Sequence, residues 1–167
     1  MDQPFVFDIR SRKGQYRFEF YDTSSPETWR LLQPDLVILC FAINQRSSLL
    51  SLQRQVRAPA KNVKILCSNH LRRQWIKEFR TTFASGDIVP LLVLGLKRDL
   101  RSEDDPNGII YPQEAYGLAQ QIRADKYAEC SAVTGELLAE AFDDICKTAV
   151  ETTTAEGGQS EGGCTVM

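Results

Sequence analysis

The 167-residue sequence predicts an α/β fold with a mainly parallel sheet and one antiparallel hairpin. Two observations carry this. Asp35 to Ile43 and Ile88 to Leu94 are continuous apolar runs, which suit strands covered on both faces, as parallel strands are. Segments of helical period follow each run, and strands alternating with helices make an α/β sheet. The opening segments, Phe5 to Ser11 and Tyr16 to Thr23, are rich in aromatic and β-branched residues and flank the turn Arg12-Lys13-Gly14, so they predict the hairpin.

The remaining elements follow in order. Ser25-Pro26-Glu27 has a cap, a first-turn proline and an acid near the positive helix end, and predicts a short helix. Asp35 to Ile43 is the next strand, and Ser47 to Gln55 begins a helix. Leu71, Trp75, Phe79 and Phe83 recur every four residues, the period of an amphipathic helix. After the strand at Ile88 to Leu94, Arg101 to Gly108 is a polar loop. Pro112 opens a helix to about Ala124, Lys126 to Ser131 is a short strand, and Thr134 is placed to cap a last helix. Leu138, Ala141, Phe142, Ile145 and Ala149 form the apolar stripe of that helix.

Composition excludes several functions. A net charge of −2 leaves no basic surplus for nucleic-acid phosphates. Five scattered cysteines without a Cys-x-x-Cys pair argue against a disulfide framework and a zinc site, and fit a reducing cytosol. Cys40, Cys130 and Cys146 read as small buried apolar residues. His70 is the sole histidine, which leaves little room for a Ser-His-Asp triad. No apolar run approaches the roughly 20 residues of a spanning helix.

Ligands of such sheets bind at loops beyond the carboxyl ends of the strands. Three of these loops carry motifs. Asp22-Thr23-Ser24-Ser25-Pro26-Glu27 resembles the Asp-Thr-Ala-Gly-Gln-Glu box of Ras-superfamily small GTPases. Gly95-Leu96-Lys97-Arg98-Asp99-Leu100-Arg101 resembles the guanine-reading box in its Rho form. Glu129-Cys130-Ser131-Ala132-Val133-Thr134 is similar to the family's Glu-Cys-Ser-Ala-x-Thr loop, and Cys164-Thr165-Val166-Met167 resembles a prenylation box. Trp75, Glu78 and Arg101 point to the Rho branch, although the long insert helix of most Rho proteins does not follow Arg101. The resemblance implies a Ras-like three-layer fold over residues 1–153, with an atypical insertion at 56–71 and a flexible tail at 154–167.

It also implies chemistry. Guanine presents two N–H donors on one edge, and the Asp99 carboxylate would accept both in charge-assisted bonds. Lys97 would lay its stem along the purine face. The Ala132 amide would donate to the guanine carbonyl, with Ser131 bracing the loop. Asp22 would hold Mg²⁺ through a water, because Mg²⁺ keeps part of its hydration shell. GTP or GDP with Mg²⁺ are the implied cofactors, and effectors and regulators of small GTPases the implied partners.

The departures matter as much. No Gly-x-x-x-x-Gly-Lys-Ser/Thr loop occurs, and with it go the family's first strand and first helix. Ser25 replaces a glycine that senses the γ-phosphate, and Leu96 a polar residue that supports the guanine loop. Pro26 replaces the glutamine that orients the attacking water. No residue is therefore assigned a catalytic role, and the chain reads as a hydrolysis-defective or truncated switch. The alternative is a nucleotide-independent, prenylated scaffold.

The missing strand would lie mid-sheet, leaving two rows of unpaired backbone groups. Direct pairing of the two neighbours, a strand from a partner, or an incomplete gene product would each resolve this. Val56 to Leu71 holds Arg57, Lys61 and Lys64 and no acid. It is either a lipid- or partner-binding loop or a non-native insertion such as a translated intron. At the C-terminus, Met167 selects farnesyl for Cys164. One chain anchors weakly, and Ala155 to Gly163 carry no lysine or arginine as a second signal. The expectation is a cytoplasmic protein reversibly attached to membranes.

Overall fold

The computed structural model describes residues 4–11, 14–22, 34–53, 89–102, 104, 109–154 and 163–166. The expected helix at Ser25-Pro26-Glu27, the segment 56–71 and the amphipathic stretch from Leu71 to Phe83 lie outside the described residues.

The hairpin forms from β1 (Phe5–Ser11) and β2 (Gly14–Phe20), antiparallel in a register from Phe5 opposite Phe20 to Ser11 opposite Gly14. Gly14 takes φ +148°, which residues with a Cβ rarely adopt, so the strand can start directly at the turn. Three parallel strands follow: β3 (Val37–Ala42), β4 (Leu91–Leu96) and β5 (Lys126–Glu129), in the order β3-β4-β5. Helix α1 (Arg46–Gln53) follows β3, α2 (Pro112–Gln121) precedes β5, and α3 (Leu138–Thr154) follows it. The α/β architecture with a parallel sheet and one antiparallel hairpin is as expected.

The alternation of side chains along β4 decides the layers. Leu91 and Val93 point to one face, where they join Leu39 and Phe41 of β3, Leu49 and Leu52 of α1, and Ala115 and Leu118 of α2. Leu92 and Leu94 point to the other, where they meet Phe18 of β2 and Ala141, Ile145 and Ala149 of α3. Both faces of β4 are thus closed, which explains its unbroken apolar run. Phe7, Phe20 and Phe142 add an aromatic triangle with centroid separations of 5.6, 5.7 and 6.1 Å, fixing the hairpin to α3.

Cys130 is buried and Cys146 half-buried, but Cys40 is exposed. This corrects the reading of Cys40 as a core residue. Its strand neighbours Leu39 and Phe41 face the α1 and α2 side, while Cys40 lies on the opposite face of β3.

Two helix ends differ from expectation for local reasons. The α2 helix stops at Gln121 because Arg123 turns left-handed (φ 54°), and Ala124 N–H reaches back to the Ala119 carbonyl at 2.9 Å. Thr134 does not cap α3. Residues 131–136 close a loop of their own: Ser131 N–H donates to the Glu136 carbonyl at 3.0 Å, and Gly135 N–H to the Ser131 carbonyl at 3.0 Å. The Thr134 hydroxyl accepts only from Glu136 N–H at 3.3 Å.

A sixth strand, β6 (Gly163–Val166), pairs parallel with β2. These four residues lie within the segment read from the sequence as a tail, along the edge of β2 opposite β1.

Gly95, in β4, is needed for close approach. A Cβ there would sit 3.1 Å from Phe41 Cζ and 3.2 Å from both Glu129 Cγ and Ile43 Cδ1. Gly95→Ala is expected to cost about 1–3 kcal/mol, the usual range for overpacking a filled core. The midpoint of urea unfolding checks it, and an unchanged midpoint would contradict the contact.

Candidate functional site

Parallel neighbours end at the same side of the sheet, so β4 and β5 deliver their following loops side by side. Leaving β4, Lys97 adopts a left-handed conformation (φ 61°, ψ 45°), and Arg98 to Leu100 form a single 3₁₀ turn. A non-glycine residue held there is strained, and such strain gathers at functional positions. The turn aims Asp99 toward the loop after β5.

Backbone bonds clamp the two loops. Cys130 N–H donates to the Gly95 carbonyl at 2.9 Å, and Arg98 N–H to the Cys130 carbonyl at 3.1 Å. Across this clamp the Ser131 hydroxyl donates to Asp99 Oδ1 at 2.5 Å. Ser131 Oγ in turn accepts from Val133 N–H at 3.2 Å and Thr134 N–H at 3.1 Å. Ser131 is 0% exposed, so all its hydrogen-bonding capacity is spent inside the loop. Asp99 is half-buried, while Lys97 and Ala132 are exposed.

Lys97, Asp99, Ser131 and Ala132 therefore converge on one rim. A carboxylate has about four acceptor sites, and Ser131 uses one of them. Acceptor capacity remains on Asp99 for a planar pair of donors. The residues present thus fit the edge of a purine that offers two adjacent N–H groups.

Asp22 does not belong to this cluster by any hydrogen bond. It is exposed beyond the end of β2, and its neighbour Tyr21 donates to Glu19 Oε2 at 3.0 Å. Among the described residues, no group of three or more metal-ligating side chains forms. Ser25 and Pro26 lie outside the described residues.

One feature under the rim was not legible as a site. Glu129, 8% exposed, ends β5 just below Cys130. Its carboxylate accepts from Arg101 Nη2 at 2.6 Å and from the Tyr127 hydroxyl, and Arg98 Nε lies 3.5 Å away. Arg98 also pairs with Glu136 at the far side of the second loop, and Arg101 Nε donates to the Ile110 carbonyl at 3.0 Å. Burial, then the hydrogen bond to Glu129, pushes the Tyr127 phenol well above its ordinary value, so it stays a donor. Both arginines belong to the loop that carries Asp99. Twenty-eight residues separate Arg101 from Glu129 in sequence, so no spacing rule could pair them.

Comparison with known proteins agrees with this geometry. The sequence profile of the Ras family matches residues 5–151. GTP-binding protein rho2 of Schizosaccharomyces pombe is 26% identical over 179 residues, covering 98% of this chain and 78% of that protein. Rho-related GTP-binding protein RhoV, from mouse and from human, is 31% identical over 152 residues, covering 81% of this chain. The chain spans about half (54%) of the length of those two relatives. With the profile covering most of its length and Rho proteins among its relatives, the chain belongs to the Ras family of small GTPases, on the Rho-like side.

Proposed function

We propose that this chain is a guanine-nucleotide-binding signalling protein of the Rho type that retains the base socket and hydrolyses GTP no faster than water does. The observation that supports it is the 2.5 Å bond between Ser131 and Asp99, which holds the carboxylate at the rim shared with Lys97 and Ala132. Asp99 reads the guanine edge, Lys97 covers the ring face, and the Ala132 amide meets the carbonyl. Bound GTP or GDP would bring its phosphates and Mg²⁺ to Asp22 and the segment after it. There Ser25 and Pro26 offer neither a glycine amide nor a glutamine side chain, and these 167 residues contain no phosphate loop. Phosphate contacts supply much of the affinity and nearly all of the catalysis in this class of reaction.

Titration with fluorescently labelled GDP, with and without Mg²⁺, tests the socket. A dissociation constant at or below micromolar is expected, and no saturable binding would reject the switch. Single-turnover release of phosphate from GTP tests the second half. The expected rate equals the background, and a clearly higher one rejects the loss of hydrolysis.

The second reading is a nucleotide-independent scaffold that meets effectors and regulators at a membrane. What favours it is the altered box at 24–26. In either reading Cys164 carries a farnesyl group, and with no basic residue in 155–163 attachment is reversible. Cys164→Ser is expected to move the membrane-associated fraction wholly into the soluble one. Unchanged fractionation on ultracentrifugation would remove the lipid from the account.

A further inference from the structure

The inner edge of β2 presents the backbone row that a parallel sheet must satisfy. The chain satisfies it with residues 163–166, which include the first three residues of the lipidation motif. In β6, Gly163 lies opposite Arg17, Cys164 opposite Phe18, Thr165 opposite Glu19 and Val166 opposite Phe20. This stretch of backbone is thereby part of the β2 ladder, with its N–H and C=O groups spent on that edge.

From this we infer that strand pairing and enzymatic lipid transfer to Cys164 are mutually exclusive, because a transferase must take up the same stretch of backbone, so the C-terminus masks its own modification motif. The inference rests on the proposal that Cys164 is lipidated, and extends it to how that step is controlled. In the paired state the backbone of residues 163–166 is committed to β2. In the released state the tetrapeptide is free for an isoprenoid diphosphate and its transferase: the Cys164 thiolate forms a thioether to the lipid, and diphosphate leaves. A strand of four residues preceded by Gly162 is weakly held, so the exchange needs no unfolding of the core. The ligand that selects the released state, here the transferase or the lipid itself, shifts the population.

The full chain is the test object. Trypsin frees Thr148 to Met167 as one fragment, in which Cys164 is the sole cysteine. Pulse alkylation with iodoacetamide followed by mass spectrometry then reads this thiol alone. The expectation is labelling at least tenfold slower in the native chain than in urea, and a return to near the urea rate in Gly163→Pro. That substitution lies outside both core clusters and outside the tetrapeptide, and an unchanged thermal melt verifies that the domain stays folded. Equal native rates in the parent and in Gly163→Pro overturn the masking. Protection that rises with protein concentration overturns its intramolecular form and assigns the strand to a second copy. In a parallel assay with farnesyl diphosphate and purified farnesyltransferase, Gly163→Pro is expected to be modified several-fold faster than the parent. Peptides of residues 162–167 with glycine or proline at 163 correct for the enzyme's own preference. If neither protein nor peptide accepts the lipid, the lipidation proposal fails, while the alkylation result still decides whether the strand covers the thiol.

Discussion

Glu129→Ala is expected to be among the most destabilising single changes in this chain, by about 3–5 kcal/mol. The Glu129 side chain is 7% exposed, and its partners Arg101 and Arg98 are 19% and 29% exposed. Deleting the carboxylate leaves Arg101, the less exposed of the two, without its carboxylate partner, leaves Arg98 with Glu136 alone, and removes the acceptor of the Tyr127 hydroxyl. Removing one member of such a set costs far more than the net value of the set, because the other charges stay where they were. Glu129→Gln keeps the shape and part of the hydrogen bonding, so its loss should be smaller. Urea unfolding of both variants measures the difference. A Glu129→Ala chain within 1 kcal/mol of the parent would mean that water already solvates the arginines. The same variant should loosen Asp99, since Arg98 and Arg101 flank it on the same turn.

Asp99→Ala is expected to weaken GDP binding by about a hundredfold to ten-thousandfold. Two charge-assisted bonds at about 1.5–3 kcal/mol each set that range. The loss should be specific to guanine. Binding of an adenine nucleotide, which offers no such pair of donors, should not change, so the preference between the two bases disappears. Ser131→Ala provides the comparison. It leaves the carboxylate but frees Asp99 from its 2.5 Å bond and deprives Val133 and Thr134 N–H of their acceptor. A loss of about 1–2 kcal/mol, roughly five- to thirtyfold, is expected from a removed buried partner. Competition against labelled GDP measures all of these. If Asp99→Ala binds GDP as the parent does, the rim formed by the two loops is not a base socket.

Much of the architecture was legible because it is governed by short-range pattern. The apolar run at 91–94 had to be a strand closed on both faces, and both faces of β4 are indeed covered by packed helices. The aromatic segments flanking Gly14 had to pair, since they are adjacent and of strand composition. The rim was legible too. Once two parallel strands are placed side by side, the motifs at 97–99 and 131–132 must meet, and the clamp from Arg98 N–H to the Cys130 carbonyl shows them together. Helix ends were less so. The start of α3 depended on how the Ser131 hydroxyl and the left-handed Gly135 spend the preceding residues, a matter of geometry that composition does not encode.

By itself the sequence determined the order of strands and helices, the apolar faces and the residues of the two loops, because periodicity and turn chemistry act over a few neighbouring residues. Only the tertiary structure decided that Glu129 anchors the arginines beneath the rim, that Cys40 stays uncovered, and that residues 163–166 occupy the edge of β2. Each of these joins or separates positions tens of residues or more apart. Their energies come from burial and from satisfying backbone and charged groups in three dimensions, and they do not exist until the sheet has formed.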